Sequence, residues 1–205
     1  MSEAEKSGAE ESGAEAVPAG ETSHRQRMLS GEPYIASADP QIAADSLRAR
    51  QLLSAFNATG AEESDERRRL LEQLLGAFGH ASEIRPPFYC DYGDRIRVGA
   101  RVFANFGLVA LDVATIDIGD DVQIGPNVQL LTPTHPLEAE ARRAKWEAAE
   151  PISVGDNAWL GGGVIVLPGV TIGRETVVGA GAVVSTDLPP AVLAVGNPAR
   201  VVRSL

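Results

Sequence analysis

The chain holds three histidines, and one of them stands where a sequence repeat stops and a loop departs, with an imidazole able to do acid–base work. His135 lies in Thr132-Pro133-Thr134-His135-Pro136, where flanking prolines stiffen the backbone and fix the direction of the imidazole. With an ordinary pKa of about 6.5, imidazole is well matched to acid–base work near neutrality. On spacing alone a lone histidine in a loop is more often structural or solvated. His24 falls in an acidic N-terminal stretch and His80 follows Gly79 at the expected end of a helix, so neither is assigned chemistry. Asn105, in Phe103-Ala104-Asn105-Phe106-Gly107, is a polar residue between aromatics. It needs a partner, either a ladder or turn bond inside the fold or a ligand. The single cysteine, Cys90, excludes an intramolecular disulfide framework and a cysteine zinc cluster. With no histidine near it in sequence, it is a poor nucleophile.

These residues hang on a six-residue repeat. Aliphatic residues return at Val154, Leu160, Val166, Ile172, Val178 and Val184, each followed four residues later by a small or aliphatic one: Ala158, Val164, Val170, Thr176, Ala182 and Leu188. The same phase occurs at Val98 with Val102, and at Ile118, Ile124 and Leu130 with Val122, Val128 and Thr134. A period of six fits neither a helix nor a two-sided strand. It is the signature of a parallel β-helix, whose stacked coils share one core. Glycines at 155, 161, 173 and 179 let the chain turn and neighbouring coils approach. The phase slips by two between Val98 and Ile118, so an extra pair is expected near Leu111–Asp117, and residues at about 132–151 are expected to leave the coil as a loop.

The rest of the chain must position and cover this repeat. Residues 1–26 are expected to be a disordered acidic tail, rich in glutamate and poor in apolar side chains. Residues 27–81 read as a helical cap, with one helix over 41–56 behind the Asp39-Pro40 start signal and a second following Ser64 and closing at Gly79. The β-helix is expected over 82–188 and a C-terminal tail over 189–205. A net charge of −10 argues against nucleic-acid binding. Nothing in the sequence resembles a signal peptide or a membrane span of about 20 apolar residues, and a cytoplasmic protein is expected.

Several segments together resemble the maltose and galactoside O-acetyltransferases, a family of hexapeptide-repeat acyltransferases. They are Phe103–Asp112, the loop from Thr132 to Leu137, Arg142, Pro151–Gly162, Leu167–Gly173 and Gly196–Arg200, with Leu29–Tyr34 and Ser46–Arg50 matching the family's cap. The resemblance covers roughly residues 27–205 and implies a left-handed parallel β-helix with a small N-terminal helical cap. It further implies a homotrimer with sites between subunits, and acetyl-CoA lying along the solenoid edge. By this likeness His135 is the general base and Asn105 bonds the acceptor, while Asp112, Asp91 and Asp39 meet sugar hydroxyls. Ser37 competes with Asp39 for the family's acidic position in the cap.

The same likeness gives Gly162 a backbone N–H aimed at the developing oxyanion. It sets Trp159 as a wall beside the pantetheine arm or acceptor, lines the CoA channel with Ala180, Ser185 and Thr186, and places Arg200 and Arg203 at CoA phosphates. Guanidinium groups suit that task through several donors in a fixed plane. No metal and no covalent intermediate are required. A trimeric non-catalytic scaffold and a γ-type carbonic anhydrase are the competing readings. The latter needs several histidines on zinc, and the repeat region holds only His135.

Overall fold

The computed structural model describes residues 22–205. Most of the expected acidic tail, residues 1–21, lies outside the described residues. The end of that stretch is ordered, however: Ser23 caps a helix α1, His24–Ser30, through a reciprocal capping box with Gln26. Placing the tail boundary at 26 and leaving His24 in it is therefore corrected. Polar capping builds this helix, and apolar periodicity gives no sign of it.

The six-residue phase folds into three strand columns wound as a parallel β-solenoid. A first face carries Ala77–Phe78, Ile96–Val98, Ile116–Ile118, Ile152–Val154 and Thr171–Ile172. A second carries Glu83–Ile84, Phe103–Ala104, Gln123–Ile124, Trp159–Leu160, Val177–Val178 and Val192–Val195. A third carries Phe88–Cys90, Leu108–Leu111, Gln129–Leu131, Ile165–Val166 and Val183–Val184. The aliphatic residue of each hexapeptide points inward, so Val154, Leu160, Val166, Ile172, Val178 and Val184 are all buried, as are Ala158, Val164, Val170, Ala182 and Leu188. Branched side chains suit this pleated inner wall. Thr176 is also buried, its hydroxyl donating to the Pro189 carbonyl. Thr134 departs from the pattern, because the chain has already left the coil at Thr132.

The glycine at the head of each turn is required by close approach. A side chain on Gly155 would strike the backbone of Arg174 in the next coil, and one on Gly125 would strike Gly162. The left-handed backbone falls two residues later, at Arg101, Asp121, Asn157 and Glu175.

Upper coils pair residues eighteen apart, as in Leu160 with Val178, whereas lower coils pair residues twenty apart, as in Val98 with Ile118. The additional pair falls between Ala110 and Ile118, at the corner expected from the phase slip, and again between Cys90 and Val98. Asp112 occupies this widened corner.

Two longer helices close one end, α2 (Pro40–Asn57) and α3 (Ser64–Leu74). Leu53, Phe56, Leu70, Leu71 and Leu74 merge with the solenoid core, and Phe56 meets Phe88 edge to face. Each such buried side chain contributes about 1.5–3 kcal/mol. Helix α3 ends at Leu74 rather than Gly79, and Ala77–Phe78 already pairs with Arg97–Val98, so the solenoid begins at 77 rather than 82. Leu75 already has extended backbone, and the chain then passes so close to the coil above that any side chain on Gly76 would collide with the Asp94 carbonyl. At the other end the repeat runs past 188. Val192–Val195 extends the second face, and Arg200–Ser204 folds back on it as an antiparallel edge strand.

Candidate active site

The expected site residues fall into two groups on opposite edges of the third face. One group rises along the corner between the second and third faces. Asn105 follows Ala104, and the register from Ala104 through Ile124, Leu160 and Val178 to Ala194 sets Asn105, Gly125, Gly161, Gly179 and Val195 in one column. Arg200 pairs with Val195 and so tops that column. Gly162 and Ala180 occupy the column beside it, linked by the Gly181 N–H, which donates to the Gly162 carbonyl. Trp159 lies just before this corner on the second face with 54% of its surface exposed, and Arg203 pairs with Leu193 on the edge strand.

Asn105 is half-buried, its N–H donating to the Ile124 carbonyl and its Oδ1 accepting from Phe106 N at 2.8 Å. Among the described residues its side-chain NH₂ donates no hydrogen bond. Arg85 is the register neighbour of Asn105 one coil below, and its guanidinium lies 4.8 Å from the Phe103 ring centre and 5.3 Å from that of Phe106. Gly125, Gly161 and Gly179 line this corner above Asn105. Among the described residues the Gly162 N–H takes no backbone partner, as an oxyanion donor requires.

The second group gathers at the corner between the third and first faces. Here the chain is extruded between Thr132 and Glu150, whose N–H donates back to the Thr132 carbonyl at 3.0 Å. Pro133–Thr134 pairs antiparallel with Ala148–Ala149, and a short helix α4, Ala139–Arg143, forms the tip. His135 follows this pair and is exposed. Arg142 donates to the carbonyls of Pro136 and Leu137 at 2.8 and 2.9 Å, fixing the chain just beyond the imidazole.

Beneath the loop Asp112 is fully buried. Its Oδ1 accepts from Asp91 N at 3.0 Å and Tyr92 N at 2.9 Å, and its Oδ2 from Arg95 N at 3.3 Å. Burial raises its pKa, against the pull of these donors. Its oxygens are taken up in holding the widened corner, and the sugar contact expected of Asp112 is not one they are placed to make.

Asp39 is likewise occupied. It caps α2, accepting from Gln41 N at 3.0 Å and Arg25 N at 2.8 Å. Burial raises its pKa, but these donors outweigh burial and leave it lowered. An N-cap role needs that carboxylate in place, so Asp39 belongs to the cap's architecture.

Asp91 keeps its carboxyl group partly open beside the loop. Its pKa is pushed up to about 6, first by burial and then by the charges of Asp112 and Glu147, against Arg95. Ser185 and Thr186 lie exposed at the same corner in the last coils.

Sequence reasoning gave no role to Tyr34, Arg95, Trp146 or Glu147. Tyr34 donates its hydroxyl to Glu147 Oε2 at 2.8 Å, and Arg95 lies over the Tyr92 ring with its Nη1 donating to the Val113 carbonyl at 2.6 Å. Tyr34 stood within the cap motif as a signal without a partner. Its partner lies 113 residues away, a distance no local pattern bridges. Among the described residues no group of three or more His, Cys, Asp or Glu side chains is placed to hold a metal ion, and no helix is long and apolar enough to cross a membrane.

Comparison with known proteins bears on the family and the fold. The maltose acetyltransferase hexapeptide capping motif matches residues 27–79, and the bacterial transferase hexapeptide (six repeats) matches residues 151–186. The chain is 49% identical over 179 residues to nodulation protein L of Rhizobium leguminosarum bv. viciae, covering 87% of this chain and 94% of that protein. It is 40% identical over 159 residues to the galactoside O-acetyltransferase of Escherichia coli K12, covering 78% of each. The fold matches a maltose O-acetyltransferase from Clostridium difficile 630 with a TM-score of 0.88 and 42% identity, covering 90% of this chain and 98% of the other. A hexapeptide-repeat acetyltransferase from Vibrio cholerae, solved with acetyl coenzyme A, matches with a TM-score of 0.83 and 41% identity over 90% of this chain and 99% of the other. Cap, repeat and overall fold converge, and the chain belongs to the maltose and galactoside O-acetyltransferase family of hexapeptide-repeat acetyltransferases.

Proposed function

We propose that this protein transfers the acetyl group of acetyl-CoA to a sugar hydroxyl, with His135 as general base, at sites formed between the subunits of a homotrimer. The observation that carries the reading is the division of the site across the third face: Asn105, Gly162, Ala180 and Arg200 follow one edge, and Asp91 and the His135 loop occupy the other. A ring of copies brings the first edge of each protomer to the second edge of its neighbour. Head-to-tail contacts of this kind close into cyclic assemblies. The third face suits burial in such a ring, since its outward column runs Tyr89, Val109, Gln129, Ile165, Val183, whereas the first face shows Arg97, Asp117, Ser153 and Thr171.

In the completed site the cofactor follows the glycine-lined corner from the cationic edge strand downward, so that its thioester reaches Gly162. Arg200 and Arg203 meet its phosphates, Trp159 and Ala180 border its arm on the same copy, and Ser185 and Thr186 border it from the facing edge of the neighbouring copy. The sugar lies toward the cap, between Asn105 of one copy and Asp91 of the next. His135 takes the hydroxyl proton as the oxygen bonds to the thioester carbonyl carbon. The Gly162 N–H stabilises the oxyanion, a donor worth about 3–4 kcal/mol in the transition state. The carbon–sulfur bond then breaks, the proton passes from the imidazolium to the thiolate, and the acetyl ester and CoA leave.

Thiol release from acetyl-CoA with a panel of glucose, maltose and galactosides tests the reading. Sugar-dependent release is expected for at least one acceptor. A pure protein that releases thiol with none of them is a scaffold instead.

A further inference from the structure

We infer that Tyr34 is a positioning residue for the transfer, through which the N-terminal cap holds the His135 loop in its working place; the inference rests on the role of His135 proposed above. The loop has one anchor at its root, where Thr134 pairs with Ala148 and Glu150 bonds back to Thr132. Beyond the root it lies outside the core, with Leu137 at its tip 91% exposed. Its second anchor is the cap. Tyr34 and Glu147 exchange both backbone hydrogen bonds at 2.9 Å, and the Tyr34 hydroxyl donates to Glu147 Oε2 at 2.8 Å. Tyr34 is only 1% exposed and Glu147 half-buried, so the contact is shielded from the cap side.

The neighbouring Trp146 is gripped as well. The His24 ring lies 5.9 Å from it, tilted by 56°, and the Arg27 guanidinium lies over it at 5.7 Å. Both come from α1, which is itself tied down. Asp39 accepts from Arg25 N, Asp45 accepts from Arg25 Nε at 2.6 Å, and His24 Nδ1 accepts from Ile35 N at 2.9 Å. A continuous set of contacts thus leads from α2 through α1 and Tyr34 to Glu147. Ala148 comes next in the chain, and it is the register partner of Thr134, the residue before His135. A shift at Glu147 is therefore passed across one strand pair to the imidazole. The solenoid closes beneath the loop through the bond from Glu150 N–H to the Thr132 carbonyl and the pairing of Ile152 with Ile116, neither of which uses the Tyr34 hydroxyl.

The test pairs amide hydrogen exchange with kinetics on the full-length enzyme. Tyr34→Phe, which removes only the hydroxyl bond, is expected to speed exchange in residues 133–149 at least about fivefold with the core strands unchanged. It is expected to lower kcat about tenfold while KM for acetyl-CoA stays within about twofold. Trp146→Ala is expected to act in the same direction, and Glu147→Leu to match Tyr34→Phe in loop exchange. Glu147→Gln keeps an oxygen for the hydroxyl and is expected to restore loop protection. Unchanged loop exchange in Tyr34→Phe overturns the inference, as does faster loop exchange with an unchanged kcat. Faster exchange throughout the solenoid strands also overturns it, in favour of a folding role. A His135→Ala enzyme that keeps its rate removes the ground from the catalytic assignment and the clasp together. A slow His135→Ala beside a fast Tyr34→Phe sinks the clasp alone.

Discussion

Asn105 and His135 stand at opposite edges of the third face of one protomer. Asn105 precedes the strand Leu108–Leu111, and His135 follows the strand Gln129–Leu131 one coil above. If each site takes Asn105 from one copy and His135 from its neighbour, two dead variants can repair one another. Asn105→Ala and His135→Ala are each expected to lower kcat at least about 10²-fold. Co-expression of the two should return activity toward the level set by random mixing, at which roughly one site in four draws both wild-type residues. Thiol release from purified mixed assemblies is the measurement, and a mixture no faster than its parents would place both residues within one protomer's site.

Arg200 tops the Asn105 column, and Arg203 lies farther from the corner along the same edge strand. Arg200→Ala should raise KM for acetyl-CoA by about tenfold, the worth of one lost charge-assisted contact. Arg203→Ala should raise it less, and KM for the sugar should move little in either. Equal rises for both substrates would show that the strand matters only as the cover of the second face.

Asp112 satisfies three backbone N–H groups with one side chain at a buried corner. Its loss leaves those donors without a partner, each at about 1–3 kcal/mol. Asp112→Ala is therefore expected to destabilise the protein by roughly 3 kcal/mol or more, and Asp112→Asn, which keeps one acceptor oxygen, by less. Thermal unfolding of the purified variants decides it, and equal melting of the wild type and Asp112→Ala would remove the corner-filling role.

Asp91 titrates in the folded protein at about 6, above its ordinary value of 3.8, because burial and the charges of Asp112 and Glu147 disfavour its ionised form. Between those values the folded chain holds more proton than the unfolded chain, so this group's contribution to stability is full below the lower value and is lost as pH rises through the upper. Asp91→Asn should flatten the dependence of melting temperature on pH between about 4 and 6 and should melt above the wild type at pH 8. A variant whose pH profile overlays that of the wild type would show that Asp91 is ordinary.

The solenoid was legible because burial repeats with the coil. Val154 to Val184 are inward for the same reason six times over, and the slip between Val98 and Ile118 marks a corner that Asp112 widens. What escaped was whatever depends on polar bonds between distant segments. Helix α1 carries one buried apolar residue, Met28, and is built by capping, so no periodicity announces it. Asp39 and Asp112 offer carboxylates suited to a sugar, and sequence does not reveal that backbone donors already occupy them. Helix α3 ends early at Leu74, and Gly76 then passes close to the coil above it, a contact that helix propensity does not show. His135 and Asn105 were picked out by residue type, while their separation to two edges follows from winding, which only the register reveals.

The bond from Glu150 N–H to the Thr132 carbonyl closes the excursion where it began, and Val154 resumes the register on Ile118 as though nothing intervened. The coil is thereby insulated from the length and content of what hangs there. Segments of other sizes grafted between those two residues should leave the solenoid beneath undisturbed.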